Sequence, residues 1–166
     1  MEFSDAAITL LKKAGWYIGR KLDVEELILP YDDYPQLVID FLREFGNLEG
    51  DCEKQSYTEV VNSFYSFPSM EKEDLTGDNF YPYYSKLIDK KLFPLGGYLP
   101  DSYYICCDND GRVYMIGEYC YFWGNNLIEG IDRILRGNWR NSLQLDEDTG
   151  KWWNDDAEYV ELPPLE

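Results

Sequence analysis

Apolar side chains at Phe3, Ala7, Leu10, Leu11 and Ala14 recur at helical spacing, with Ser4 placed to cap the run and Gly15 to end it. That pattern predicts a helix over residues 4–14, stapled across its cap by Phe3 and Ile8. A second helix is expected from near Asp33, with Pro35 in its first turn, turning Leu37, Val38, Phe41, Leu42 and Phe45 inward before Gly46 stops it. A third runs from a capping Asn126, with Glu129 three residues on, through Leu127, Ile128, Ile131, Ile134 and Leu135 to Gly137. On that helix Glu129 with Arg133, and Asp132 with Arg136, stand four apart as favourable pairs. Tyr83 to Lys91, after Pro82, is a further helical stretch.

Between the second and third helices the period changes to short runs of Tyr, Val, Ile and Phe broken by Gly, Pro, Asn and Asp, which read as antiparallel strands. The clearest hairpin is Ser102 to Cys107, a turn at Asp108-Asn109-Asp110-Gly111, and Arg112 to Ile116, with Tyr119 to Trp123 as the next strand. Tyr57 to Phe67 is another strand candidate. Leu143 to Leu145 is set to pair with Lys151 to Trp153 across the turn Asp146 to Gly150. Glu71 to Asp78 reads as an exposed loop. Helices first, strands in the middle and a helix after them predict an α+β fold, helices packed on an antiparallel sheet. The 166 residues suit a single domain, since a chain of this length buries roughly 70% of its unfolded surface around one core.

Charge narrows the function. With 15 Lys+Arg against 32 Asp+Glu, a formal net charge of −17 repels phosphate, so neither nucleic acid nor an anionic membrane is an expected partner. The composition, 45% apolar with 17% aromatic residues, builds a core rather than a disordered chain. The acidic opening Met1-Glu2-Phe3-Ser4-Asp5 lacks the positive charge of a secretory signal, and no run of eighteen apolar residues could span a bilayer; a cytoplasmic protein is expected.

Candidate chemistry fails on composition and spacing. There is no histidine, the usual proton shuttle and neutral metal ligand. Cys52, Cys106, Cys107 and Cys120 contain no CxxC pair; on a strand, Cys106 and Cys107 point to opposite faces, so four buried thiols are expected and no zinc site. Asp108, Asp110 and Gly111 fit positions three, five and six of a calcium loop, but Cys106 and Gly117 then occupy positions one and twelve, where ligating carboxylates are needed. The glycines supply no phosphate-binding spacing, no serine lies in G-x-S-x-G, and no pair among the 32 acids is marked out for glycosidase chemistry. No enzyme, cofactor or metal is expected.

The acids read better as a field for a basic partner. From Asn141 to Glu166 there are eight, Asp146, Glu147, Asp148, Asp155, Asp156, Glu158, Glu161 and Glu166, opposed only by Lys151 and interleaved with Trp152, Trp153 and Tyr159 beyond Trp139. A second mixed patch is Tyr31-Asp32-Asp33-Tyr34. Aromatic anchors within a charged rim characterise binding hot spots, so Trp152, Trp153, Asp155, Asp156, Asp146, Glu147, Asp148, Tyr31, Asp32, Asp33 and Tyr34 are the candidate partner-binding residues. At least one of the two tryptophans is expected to pack inward.

Four blocks carry a resemblance. They are Leu10-Leu11-Lys12-Lys13-Ala14-Gly15-Trp16-Tyr17-Ile18-Gly19-Arg20-Lys21, Phe41-Leu42-Arg43-Glu44-Phe45-Gly46-Asn47-Leu48, Leu92-Phe93-Pro94-Leu95-Gly96, and Asp110-Gly111-Arg112-Val113-Tyr114 with the helix ending at Gly137. In order and spacing the chain resembles the SUKH superfamily of bacterial immunity proteins over about residues 5–137, within the subfamily that opens Ala-Gly-Trp-Tyr-x-Gly-Arg. Ile18 departs from the proline usual in that opening, a change confined to a turn. The resemblance implies helices on an antiparallel sheet and a protein that binds and neutralises a cognate polymorphic toxin, often a nuclease, inside the producing cell. The matched residues read as structural: Gly15 and Gly46 end helices, Trp16 and Phe45 anchor the core, and Arg20 is expected to pair with a carboxylate. Residues 138–166 lie outside the match as an acidic, aromatic extension. The leading reading is therefore a non-enzymatic immunity protein against a basic nuclease toxin. The alternative is a regulatory scaffold or adaptor of the same superfamily without a toxin partner. Oligomeric state is open.

Overall fold

The computed structural model describes residues 2–166. Helix α1 (Asp5–Lys13) begins where the Ser4 hydroxyl accepts from the Ala7 N–H at 3.2 Å, while the Ser4 N–H and O–H both donate to Asp132 Oδ1 at 2.7 Å. One residue thus caps a helix and ties it to another far along the chain. Helix α2 (Gln36–Phe45) starts later than Asp33, with Pro35 at its N-cap. Tyr34 precedes a proline, which disfavours helical backbone there, and its hydroxyl donates to the Pro94 carbonyl at 2.7 Å, holding the segment extended. Val38, Leu42 and Phe45 are buried as expected and Phe41 is half-buried, but Leu37 is 47% exposed on the helix flank. Arg20 is buried without a carboxylate: its Nη1 donates to the Glu44 carbonyl at 2.7 Å, a cation on an otherwise unpaired acceptor at the end of α2.

Next come β1 (Glu49–Asp51), β2 (Ser63–Tyr65), α3 (Phe80–Leu87), β3 (Phe93–Leu99), β4 (Tyr103–Cys107), β5 (Val113–Ile116) and β6 (Cys120–Gly124). Helix α4 (Leu127–Leu135), β7 (Leu143–Leu145), β8 (Trp152–Trp153) and β9 (Tyr159–Val160) complete the chain. Among the described residues the strands form one sheet in sequence order, every neighbour antiparallel, so the α+β expectation holds as four helices on a nine-stranded meander. The β4–β5 hairpin and the β7–β8 pair match the expected pairings. Of Tyr57 to Phe67 only Ser63–Tyr65 is strand, and the helix expected at Tyr83 to Lys91 lies three residues earlier, with Pro82 in its first turn.

Helices α1, α2 and α4 cover one face of the sheet, over Phe64, Leu95, Ile105, Cys107, Val113, Met115 and Trp123. The other face gathers Cys106, Tyr114, Ile116, Cys120, Phe122, Leu145 and Trp152 with Tyr81 and Tyr84 of α3. Cys106 and Cys107 thus enter opposite cores, as strand alternation demands. Two close approaches set the layer spacing. A Cβ at Gly130 of α4 would stand 2.4 Å from Val113 Cβ, and one at Gly124 would stand 2.4 Å from the Gly130 nitrogen, so helix and sheet touch backbone to backbone. Strand β3 was not among the expected elements; Pro94, Gly96 and Gly97 interrupt its apolar run. The two glycines are needed because Tyr65 crosses over them; a Cβ at Gly96 would fall 1.9 Å from the Tyr65 carbonyl oxygen.

The turn between β4 and β5 closes on Asp108, which is fully buried. Its Oδ1 accepts from the N–H groups of Asp110 (2.9 Å) and Arg112 (3.1 Å), and its Oδ2 from the Tyr114 hydroxyl (2.9 Å). The fold uses this carboxylate to organise the turn. Beyond residue 137 the chain extends the same sheet through β7, β8 and β9. Its tail is held where Asn125 Nδ2 donates to the Pro164 carbonyl at 2.7 Å and Leu162 packs on the α3-side core.

Candidate interaction surface

Strand register determines which aromatic side chains of the C-terminal segment reach the surface. Leu145 pairs with Trp152 and Gln144 with Trp153, so the adjacent tryptophans go to opposite faces. Trp152 is only 8% exposed and lies 6.1 Å from the Tyr114 ring and 6.2 Å from Phe122, inside the core. Trp153 is half-buried on the other face, stacked on Tyr159 at 5.7 Å and 22°. The register Met115, Tyr121, Gln144, Trp153, Tyr159 runs across strands β5 to β9 on that face. It leaves the helix-covered core at Met115 and ends on the half-exposed Tyr159. Trp139 stands edge-on to Tyr121 at 5.1 Å and to Trp123 at 4.7 Å, closing the covered end of this strip.

The carboxylates around the strip divide into structural and free ones. Asp146 is buried: its Oδ2 accepts from the Tyr159 hydroxyl at 2.6 Å and the Thr149 hydroxyl at 2.7 Å, and its Oδ1 from the Asp148 N–H at 3.1 Å. Those hydrogen bonds, Tyr159's foremost, hold its carboxyl below the ordinary value. Asp146 therefore fixes the Tyr159 ring. In the β8–β9 turn, Asn154 Oδ1 accepts from the Asp156 N–H at 3.0 Å and the Glu158 N–H at 2.9 Å, and Asp155, Asp156 and Glu158 stand exposed around it. Asn154 was not singled out from the sequence; an Asx turn directly after a strand is its signature. Glu147 and Asp148 occupy the β7–β8 turn on the opposite flank, beside α3, where Glu147 raises the Tyr83 phenol above its ordinary pKa.

The second candidate patch is differently built. Tyr34 is buried, and Asp33 pairs with Lys91 at 2.7 Å, which holds its carboxyl below the ordinary range. The same ammonium lies 4.2 Å from the Tyr31 ring centre and 5.3 Å from that of Phe93. Only Asp32 among these four side chains is without a partner role here. The patch is a clasp between the lead into α2 and strand β3.

Burial pushes all four cysteine thiols above their ordinary pKa, Cys52 to about 12, which disfavours the nucleophilic thiolate. Among the described residues no group of three or more His, Cys, Asp or Glu is placed to hold a metal ion, and no helix is long and apolar enough to cross a membrane.

Fold and surface define an acidic α+β domain, an antiparallel meander with three helices on one face and one on the other. A family model, SUKH-3 immunity protein, matches residues 3–137, and the chain belongs to that family. No curated protein and no solved structure matches it. The matched span ends at the turn after α4, so strands β7 to β9, with the Trp153–Tyr159 strip and its acids, lie beyond it.

Proposed function

We propose that this protein binds and neutralises a cognate polymorphic toxin domain, a basic nuclease, by non-enzymatic contact in the cytoplasm of the cell that makes both. Membership of an immunity-protein family carries the reading; the net charge of −17 gives it chemistry, since a protein that must engage phosphate offers a basic surface. The contact surface is the C-terminal strip. Trp153 and Tyr159 supply rigid apolar area with rings already stacked, and Asp155, Asp156 and Glu158 rim them, repeating the negative charge of the phosphates that the toxin's basic surface binds. Asp146 acts from below by locking Tyr159. Trp152 takes part only as core.

Co-purification with a basic nuclease toxin domain made by the same cell tests the reading. The complex is expected to form at 0.1 M salt and its association to slow toward 1 M, as the Debye length falls from about 10 Å to about 3 Å. No complex at low salt refutes toxin binding; association indifferent to salt refutes the electrostatic part.

A further inference from the structure

Residues 133–145 carry Arg133, Arg136 and Arg140 and no acid, in a chain with 32 Asp+Glu against 15 Lys+Arg. Arg133 is committed: it pairs with Glu129 at 2.9 Å and donates to the Trp123 carbonyl at 3.2 Å. Arg136 and Arg140 are exposed. Arg136 stands 3.8 Å from Asp132 Oδ2, on a carboxylate whose other oxygen already accepts from Ser4. Among the described residues the Arg140 guanidinium has no hydrogen bond or ion pair. The end of α4 does not need these two side chains, because every carbonyl from Asp132 to Arg136 accepts from another donor. In chain order the donors are the N–H groups of Arg136, Asn138 and Gly137 at 3.0 Å, the Glu53 N–H at 2.7 Å and Gln55 Nε2 at 3.0 Å.

Both arginines line a surface groove of about 490 Å³ between the turn after α4 and the loop joining β1 to β2, which contributes Gln55 and Tyr57. Its walls are fixed by bonds already made. Glu53 and Gln55 tie the loop to α4, and Gln55 Nε2 also donates to the Glu53 carbonyl at 2.9 Å. Gly137, at φ +65°, lets that amide lie across the turn; a Cβ there would stand 2.5 Å from Gln55 Nε2. Trp139 lines the groove from the far side, packed edge-on to Trp123 at 4.7 Å, and the Tyr57 ring is 78% exposed at the mouth. Trp139 is also the residue against Tyr121 at the covered end of the Trp153–Tyr159 strip, so groove and strip adjoin.

We propose that this groove receives a carboxylate side chain of the partner protein, held by Arg136 and Arg140 with its apolar stem against Tyr57 and Trp139. A guanidinium presents a planar fork of donors that matches a carboxylate, and these two have donors to spare. A phosphate fits the groove less well. Phosphate sites converge backbone N–H groups on the anion, whereas the N–H groups of Arg136, Gly137 and Asn138 are all spent on α4 carbonyls, and the net charge of −17 repels a dianion more than a single carboxylate. On a mostly acidic protein a basic groove beside the contact strip sets the register of docking, because an acid on the partner is repelled everywhere else. The identity of the partner as a toxin rests on the function proposed above; the preference of the groove for a carboxylate does not.

The test is a nuclear magnetic resonance titration of the full chain with benzoate, a carboxylate on a flat apolar body, beside its uncharged isostere benzamide and inorganic phosphate. Benzoate is expected to shift the Gly137 and Asn138 amides and the Arg136 and Arg140 Nε–H signals saturably, and benzamide to bind more weakly. Arg136→Gln and Arg140→Gln should each weaken benzoate by about two- to fivefold at unchanged melting temperature. In the complex with the toxin domain the double variant should dissociate about tenfold faster or more, with association nearly unchanged. Phosphate binding the groove more tightly than benzoate, benzoate shifting every exposed base alike, or a double variant that binds benzoate like the native chain would overturn the proposal. Native-like toxin dissociation from the double variant removes the groove as a partner contact and leaves the toxin reading standing; benzoate binding beside no toxin complex at all removes the toxin reading alone.

Discussion

Asp108 offers a sharp test of how the fold is held, because its fully buried carboxylate is the shared acceptor of three donors. Replacing it by alanine removes charge-assisted hydrogen bonds to the Asp110 and Arg112 N–H groups and to the Tyr114 hydroxyl. Asp110 is exposed and Arg112 half-buried, so the region of the two amides is open to water; the Tyr114 side chain is 1% exposed and its hydroxyl is not. Leaving that group unpaired costs about 1–3 kcal/mol, and each lost bond to a charged acceptor about 1.5–3 kcal/mol before water compensates. Asp108→Ala should then cost about 3–5 kcal/mol, roughly 10 °C or more in a domain of this size. Asp108→Asn keeps an oxygen for the two amides and presents an NH₂ that the tyrosine hydroxyl can accept, so about 1 kcal/mol is expected. Thermal and urea unfolding of Asp108→Ala, Tyr114→Phe and the double variant form a cycle. Tyr114→Phe should cost far less in the alanine background than alone. Strict additivity, or Asp108→Asn as damaging as Asp108→Ala, would refute the argument.

Three further outcomes follow from the packing. Gly130→Ala gains about 1 kcal/mol of helix propensity but presses a methyl group into Val113, an overpacking of about 1–3 kcal/mol, so a net loss is expected in urea unfolding, partly recovered by Val113→Ala in the same chain. Trp152→Ala should cost about 3–5 kcal/mol, whereas Trp153→Ala should cost no more than about 1.5 kcal/mol and leave the fold intact, measured by thermal melts. Asp146 has its carboxyl lowered in the folded chain, so the unfolded chain binds the extra proton: the stabilisation is complete above the ordinary value of 3.8 and is lost as the pH falls below it. Tyr159→Phe should flatten that acid limb of the melting profile without changing it near neutrality in shape.

Helices α1 and α4 were legible because their caps are local: Ser4 and Asn126 accept from N–H groups three residues on, and the apolar spacing does the rest. What the sequence hid is non-local. Pro94, Gly96 and Gly97 look like the end of a strand until Tyr65 lies across them. Strands β1 and β9 span three residues or fewer, too short for any period to register. Alternation separates Trp152 from Trp153, but only the pairing with Leu145 and Gln144 says which one faces in. Asp146 and Tyr34, read as surface residues from their neighbours, are drawn inside by Tyr159 and Pro94. Arg20 found a backbone carbonyl where a carboxylate was expected, because the end of α2 supplies acceptors that sequence position alone does not reveal.

The central claim, that this acidic domain silences a basic nuclease by covering its substrate surface, is tested most directly by titrating the purified toxin domain with the purified protein while following nucleic-acid cleavage. Cleavage should fall in proportion to the protein added and be abolished near equivalence. Trp153→Ala combined with Asp155→Asn and Asp156→Asn, folded as shown by an unchanged melt, should need a clear excess to reach the same inhibition. Cleavage that continues undiminished with the native protein in excess at low salt would contradict it.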